Sequence, residues 1–218
     1  MATRQQKVEL AYRPWLDDLY KSWGYSIERI KGEKNKFYDV ILRSTNERIK
    51  VEEKGEVLLS SNMPFEWWQY AEKIDVRLYK RAMTKVNNND DWFMIMVKYI
   101  RELRKEGKSE KHVGWVFKTR ADWIIYVFWN MKKGKPFVVY RIPNWLEVFR
   151  WFRNNWNYPY VPSYKGSGET WNRLVPWRIL DKQGLCKDVY GKPMDSRSYP
   201  KKKGESPEDC LIGGDFDV

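Results

Sequence analysis

Apolar residues recur near the start of the chain at the spacing of one helix face. The intervals between them are four, three, four and four residues, which is the period of an amphipathic helix. Gly24 then supplies a C-terminal cap, and Pro14 predicts a kink or the opening of the helix's second part. The face comprises Val8, Tyr12, Trp15, Leu19 and Trp23.

Short apolar runs separated by polar turns follow this helix, which is typical of strands. The predicted strands cover residues 25–30, 37–42, 48–55 and 63–69. About five polar residues join the second strand to the third, so these two strands are expected to form an antiparallel hairpin.

Helical and extended patterns alternate in the rest of the chain. Residues 71–111 predict a charged helical insertion, and residues 145–152 predict a last helix. Apolar runs at 113–117, 123–129 and 136–142 predict further strands. The order favours an α/β or α+β domain on a mixed sheet over residues 1–180. Residues 181–218 are expected to be a polar, weakly structured tail, because they contain few apolar residues to offset their ordering entropy.

The charge of the chain points to a polyanionic partner. The 218 residues include 41 Lys and Arg against 29 Asp and Glu, a net charge of +12, and this balance favours nucleic acid. No long apolar stretch indicates a membrane span, and the first residues contain no secretory signal. We therefore expect a cytoplasmic, intracellular protein that does not bind membranes.

Histidine and cysteine are too few for the chemistry that they usually carry. The one histidine is His112, and Cys186 and Cys210 lie 24 residues apart without a CxxC spacing. These numbers exclude a Cys/His zinc site and disfavour His-dependent triads. Chemistry on a polyanion would therefore fall to carboxylates, lysines and a hard metal ion.

Carboxylates and a lysine occur on both strands of the predicted hairpin. In an extended segment, Lys50, Glu52 and Lys54 share one face. Asp39 interrupts the apolar strand before them, where a carboxylate without a partner would be costly to bury. The folded hairpin can bring Asp39 and Glu52 near one ammonium group, a set that suits Mg²⁺ or Mn²⁺ on a phosphodiester. A solvated strand face would show the same alternation, so both interpretations stay open from spacing alone.

These residues resemble the PD-(D/E)xK nuclease superfamily, which includes restriction endonucleases, Holliday junction resolvases and many phage nucleases. The resemblance lies in Asp39 followed by Glu52-Glu53-Lys54 on consecutive strands after a helix, and in the later segments NMPFEWWQ and GWVFKTRADWIIYVF. It implies a restriction-endonuclease-like αβββαβ core, with a mixed central sheet flanked by helices, and a Mg²⁺-dependent deoxyribonuclease. Tyr38 stands where the family name has proline.

The resemblance also implies roles for individual residues. Asp39 and Glu52 would bind Mg²⁺ or Mn²⁺, and Lys54 would be the catalytic lysine. Glu53 would lend only its backbone carbonyl to the metal, with its side chain on the opposite face. Glu9 stands where several members have an extra acidic residue. Apart from the resemblance, Glu66 and Gln69 on the fourth predicted strand are candidate supporting residues, and half-exposed strand positions would show the same residue types.

DNA is the expected partner of such an enzyme. Lys118, Thr119 and Arg120 are candidate phosphate contacts, through charge and a hydroxyl group. The need to cut two strands and the surplus of aromatic residues favour a homodimer. The phage-type resemblance implies a virus-encoded protein that acts in the host cytoplasm. Junction resolution, restriction and phage DNA processing stay open, and a noncatalytic nucleic-acid-binding protein on the same scaffold is the alternative.

Overall fold

The computed structural model describes residues 4–32, 37–56, 62–69, 75–86, 92–110, 113–155, 160–165 and 168–191. These residues divide into two compact units. Along the chain the elements are α1 (Arg4–Ser22), β1 (Ser26–Arg29), β2 (Val40–Arg43), β3 (Arg48–Glu56), β4 (Asn62–Gln69), α2 (Val76–Met83), α3 (Trp92–Lys105), α4 (Trp115–Lys118), β5 (Trp123–Asn130), β6 (Lys135–Ile142), α5 (Trp145–Asn154), β7 (Tyr160–Lys165), β8 (Gly168–Pro176), α6 (Trp177–Lys182) and β9 (Lys187–Gly191).

The first unit is built on a six-stranded sheet in the order β1-β2-β3-β5-β6-β9. Strands β3 and β5 run parallel, and the other neighbouring strands run antiparallel. The prediction of an α/β protein with a mixed sheet is therefore confirmed, as is the antiparallel hairpin of β2 and β3. The six inner residues of β5 are all buried, which explains why this strand is a continuous apolar run in the sequence.

Helix α1 packs on one face of this sheet. Its most deeply buried residues follow one another at intervals of four, and Trp15, Leu19 and Trp23 of the predicted face lie partly buried beside them. The helix runs through Pro14 without ending. The carbonyl that Pro14 leaves without a donor belongs to Leu10, which is 63% exposed, so water can replace that bond. The buried face comprises Val8, Tyr12, Leu16 and Tyr20.

Three other segments differ from their predictions or extend them. The predicted strand at 113–117 is wrong, because Trp115–Lys118 forms the short helix α4; a short apolar run does not by itself distinguish a strand from a buried helical turn. Strand β4 joins a separate sheet in the order β4-β8-β7. Strand β9 lies within the segment 181–218, where weak structure was expected, and pairs with β6; residues 192–218 are outside the described residues.

The second unit contains α2, α3 and most of the three-stranded sheet. The helical insertion predicted at 71–111 is a pair of helices, and the carboxylate of Asp75 caps α2 by accepting the N–H of Leu78 at 3.1 Å. An apolar cluster that includes Tyr99 and Leu103 joins the pair. Within the described part of the chain, no helix combines the length and the apolar character needed to cross a membrane.

Candidate active site

The hairpin of β2 and β3 brings Asp39 level with Glu52. Val40 pairs with Val51 in this antiparallel hairpin. Because Asp39 directly precedes Val40 and Glu52 directly follows Val51, these two carboxylates lie opposite each other. The N–H of Asp39 donates to the carbonyl of Val51 at 2.8 Å. Its side-chain Oδ2 accepts the N–H of Glu53 at 2.7 Å. Asp39 is therefore fixed to β3 through both its backbone and its carboxylate.

Glu52 and Lys54 share the face of β3 that points away from α1. Glu52 is only 6% exposed, and the ammonium group of Lys54 forms an ion pair with its Oε1. Burial raises the pKa of Glu52 to about 7, and the charge of Asp39 adds to this rise while Lys54 opposes it.

The second carboxylate oxygen of Glu52 is the one that does not pair with Lys54. This atom, Oε2, is buried and accepts no hydrogen bond from any described residue. A buried carboxylate oxygen without a donor or a cation is costly. Oε2 is therefore an oxygen that could accept a hydrogen bond or bind a cation.

Glu53 points to the opposite face of β3, toward α1. Its side chain is fully buried, and it accepts hydrogen bonds from Tyr20 Oη at 3.0 Å and from Arg29 Nη1 at 2.8 Å. Arg29 also pairs with Asp17 of α1, at 2.6 Å. Burial raises the pKa of Glu53, and Arg29 opposes that rise. This network joins α1, β1 and β3 behind the candidate site.

Tyr12 belongs to α1, and its ring packs against Gly55 near the end of β3. A Cβ atom added to Gly55 would overlap the ring of Tyr12, so only glycine fits here without a shift. Burial raises the pKa of Tyr12, and the charges of Glu53, Glu9 and Asp39 raise it further. The phenol is therefore held in its neutral form on the α1 side of the site.

The candidate supporting residues lie in different parts of the fold. Glu9 is half-buried on α1 and pairs with Arg13 at 3.5 Å, near Tyr12. Glu66 is half-buried on β4 and belongs to the second unit. The side chain of Gln69 lies outside the described residues. Their supporting roles stay predictions.

The loop that contains the candidate phosphate contacts is tied to the residues before Asp39. The hydroxyl of Thr119 donates to the carbonyl of Phe37 at 3.0 Å and accepts the N–H of Ala121 at 3.2 Å. The N–H of Arg120 donates to the same carbonyl of Phe37 at 2.9 Å. Because a hydroxyl has one proton, Thr119 in this conformation has none to donate to a phosphate. Lys118 ends the short helix α4, and its phosphate contact stays a prediction.

Asp122 is a structural residue that sequence reasoning did not single out. Its Oδ2 accepts the N–H of Lys50 at 2.8 Å, and its own N–H donates to the carbonyl of Lys50 at 2.8 Å. Its carbonyl accepts the N–H of Trp145 at 2.9 Å. Asp122 thus aligns the start of β5 with β3. Its position directly before an apolar strand was the available signal.

The buried pair of Glu53 and Arg29 was also beyond the reach of the sequence. Arg29 stands in the alternating segment Ser26–Arg29, which has the pattern of a solvated strand. Nothing local indicates that its guanidinium turns toward α1. The pairing depends on the tertiary contact between α1 and β3.

The donor set can accommodate a hard divalent cation. No three His, Cys, Asp or Glu side chains converge within the described residues, so the candidate side-chain ligands of this site are two, Asp39 and Glu52. The unsatisfied Oε2 of Glu52 and the adjacent carboxylate of Asp39 are oxygen donors of the kind that Mg²⁺ and Mn²⁺ prefer. Because Mg²⁺ usually keeps several waters, two carboxylates suffice for such a site.

No family model, no curated protein and no solved structure matches this chain. The interpretation of the site therefore depends on its own geometry.

Proposed function

We propose that this protein is a Mg²⁺- or Mn²⁺-dependent DNA endonuclease that hydrolyses phosphodiester bonds. The observation that carries the proposal is the arrangement of Glu52. One of its oxygens pairs with Lys54, the other is buried without a hydrogen-bond partner among the described residues, and Asp39 lies opposite Glu52. Two carboxylates can hold a hard divalent cation, and a lysine beside them can share charge on the phosphate, which suits metal-assisted phosphodiester hydrolysis.

The order of the elements supports a restriction-endonuclease-like core. Helix α1 is followed by β1, β2 and β3, and β5 then lies parallel beside β3. Asp39 directly precedes the second strand, and Glu52 and Lys54 lie on the third, which supports the proposed resemblance to the PD-(D/E)xK pattern. The αβββαβ core remains part of the proposal.

Each residue of the site has a defined task in this proposal. Asp39 and Glu52 hold the metal ion, which would lower the pKa of a bound water and offset charge on the phosphate. Lys54 keeps its ammonium group beside Glu52, where it can orient the attacking water or share the negative charge of the transition state. Glu53 donates its N–H to Asp39 and fixes the direction of that carboxylate.

The proposal is tested with three isosteric or near-isosteric variants, Asp39→Asn, Glu52→Gln and Lys54→Met. Each is expected to lower Mg²⁺-dependent cleavage of labelled DNA by about 10²-fold or more, since each removes a charge that acts in the transition state. Glu28→Gln and Lys135→Ala are matched controls, because both residues are exposed and lie away from this site. Full activity of Asp39→Asn would rule out the site.

The same experiment decides the alternative of a noncatalytic nucleic-acid-binding protein. Both functions predict binding that weakens steeply with salt, because both use basic residues on a polyanion. They differ in the fate of the DNA. Intact duplex, junction and flap substrates after incubation with Mg²⁺ and with Mn²⁺ would favour the noncatalytic protein.

We also propose that the enzyme acts as a homodimer in the cytoplasm. A two-fold axis would place two copies of the site in register with the two strands of the DNA. Light scattering at tens of micromolar is expected to give twice the mass of the 26.5 kDa chain. A monomeric mass, with and without DNA, would contradict this proposal and leave the nuclease site unaffected.

A further inference from the structure

Two aromatic residues stand directly before Asp39, and each has a cation over its ring. The guanidinium carbon of Arg120 is 4.3 Å from the centre of the Phe37 ring. The ammonium nitrogen of Lys50 is 5.7 Å from the centre of the Tyr38 ring. These two contacts form an aromatic–cation surface, which consists of Phe37, Tyr38, Lys50 and Arg120.

This surface is accessible and carries positive charge. Phe37, Tyr38 and Lys50 are half-buried, and Arg120 is exposed. Among the described residues, no carboxylate lies within salt-bridge distance of the Lys50 or Arg120 side chain, whereas Arg29, Arg43 and Lys54 are all paired. Half-buried rings beside cations that have no carboxylate partner among the described residues favour a ligand that is flat and apolar in one part and anionic in another.

The backbone under the surface is held in place. Thr119 and Arg120 both donate to the carbonyl of Phe37, and Asp122 bonds both backbone groups of Lys50. The backbone at Phe37 and Lys50 is therefore positioned by the protein itself. A surface ordered in advance loses little entropy when it binds.

We infer that the aromatic–cation surface binds an unpaired nucleic-acid strand beside Asp39. An unpaired base can replace Arg120 over Phe37 or Lys50 over Tyr38 and stack on the ring, which a paired base in a duplex cannot do without leaving the helix. The flanking phosphates pair with Lys50 and Arg120. This inference rests on the proposed nuclease and names its substrate class: a strand that is single at the point of cleavage, as in a flap, a junction arm or an unwound end.

Equilibrium binding in a chelator tests the inference without cleavage. The full chain is titrated into a labelled oligothymidine, an abasic strand of the same length and a duplex. We expect the wild-type protein to bind the oligothymidine at least about tenfold more tightly than the abasic strand, because stacking on aromatic rings stabilises each base. Equal binding of these two strands, or no binding of either, would overturn the inference.

Variants assign the effect to this surface. Phe37→Leu combined with Tyr38→Leu is expected to remove the preference for the base-bearing strand and to leave duplex binding unchanged, whereas Tyr38→Phe keeps the ring and the preference. Phe137→Leu is the matched control, since Phe137 is an exposed ring on β6. A retained preference in the double variant, with an unchanged circular dichroism spectrum, would contradict the inference, as would an equal loss of duplex binding.

The cations have a separate signature. Lys50→Ala and Arg120→Ala are each expected to weaken both single strands and to reduce the slope of log K against log salt by about 0.7. Lys135→Ala is the control. If the protein binds single strands in this way but cuts no DNA in Mg²⁺, the binding surface is supported and the nuclease proposal is refuted. If it cuts intact duplex but binds base-bearing and abasic strands equally, the nuclease proposal is supported and the binding surface is refuted.

Discussion

The guanidinium of Arg29 lies 2.8 Å from Oε2 of Glu53, a carboxylate whose side chain is fully buried on the α1 face of β3. The backbone N–H of the same glutamate donates to Asp39. The buried pair on one face of the sheet therefore restrains a candidate metal ligand on the other.

Breaking this pair is expected to destabilise the protein strongly. Arg29→Met leaves Glu53 buried without its cation, and the free energy of unfolding should fall by about 3–5 kcal/mol. The double variant Arg29→Met/Glu53→Leu should recover much of that loss, because no buried charge remains. Urea unfolding measures the free energy of unfolding of both variants.

Arg43→Met is the control. The partner of Arg43 is Glu28, and both side chains are about half exposed, so the free energy of unfolding should fall by less than about 1 kcal/mol. Equal losses for Arg29→Met and Arg43→Met would contradict the prediction.

Glu52 makes the stability of the metal-free protein depend on pH. Burial raises its pKa from 4.5 to about 7, so the folded state binds more protons than the unfolded state between these values. Stability should therefore fall as pH rises from about 4.5 to about 7. Glu52→Gln should flatten this part of the profile, as measured by thermal unfolding in a chelator. A profile unchanged by the substitution would show that Glu52 ionises normally.

Glu102 should give the opposite dependence in the second unit. It pairs with Lys85 at 2.6 Å and with Lys105 at 3.4 Å, and these bonds lower its pKa to about 2. A lowered pKa stabilises the folded state above the unfolded value of 4.5, and this stabilisation is lost as pH falls from there through about 2. Glu102→Gln should remove this loss of stability at acid pH. The unfolding of the helices is followed by circular dichroism as the pH is lowered. Glu147 is an exposed residue of α5, and Glu147→Gln should leave the acid sensitivity unchanged. An equal effect of the two substitutions would contradict this explanation.

Thr119 should behave as a structural residue. Its hydroxyl bridges the carbonyl of Phe37 and the N–H of Ala121. Thr119→Val should lower the free energy of unfolding by about 0.5–1.5 kcal/mol for each bond that is lost, and Thr119→Ser should restore most of it. DNA affinity at fixed salt distinguishes this role from a direct phosphate contact. A loss of affinity in Thr119→Val with unchanged stability would favour the phosphate contact.

The hairpin could be predicted from the sequence because its determinants are local. Period-two alternation and a short polar turn fix both the pairing and the face of each side chain. For this reason Asp39 and Glu52 were expected together, and the register places them opposite each other. The apolar run of β5 was equally clear, because a strand buried on both faces has no polar positions.

Helix α4, strand β9 and the surroundings of Glu52 could not be predicted from the sequence, because they depend on contacts between distant segments. The run at 113–117 has the same residue types as a strand, but it forms a helical turn in which Trp115 and Val116 are buried. The five residues Lys187–Gly191 are mostly exposed and include only two apolar side chains, Val189 and Tyr190, so their pairing with β6 has no clear signature in hydrophobicity. The unsatisfied oxygen of Glu52 is visible only once its surroundings are packed.

The two hydrogen bonds between Lys50 and Asp122 join residues that are 72 positions apart. The hairpin with Asp39 and Glu52 is therefore synthesised well before β5, the strand that covers the parallel edge of β3. At about 5–20 residues per second, those 72 positions take on the order of 4–14 s to translate. During that time the nascent chain contains both carboxylates but not the packed surroundings that bury Glu52. The proposed enzyme would remain inactive on the ribosome until β5 has been made and has docked.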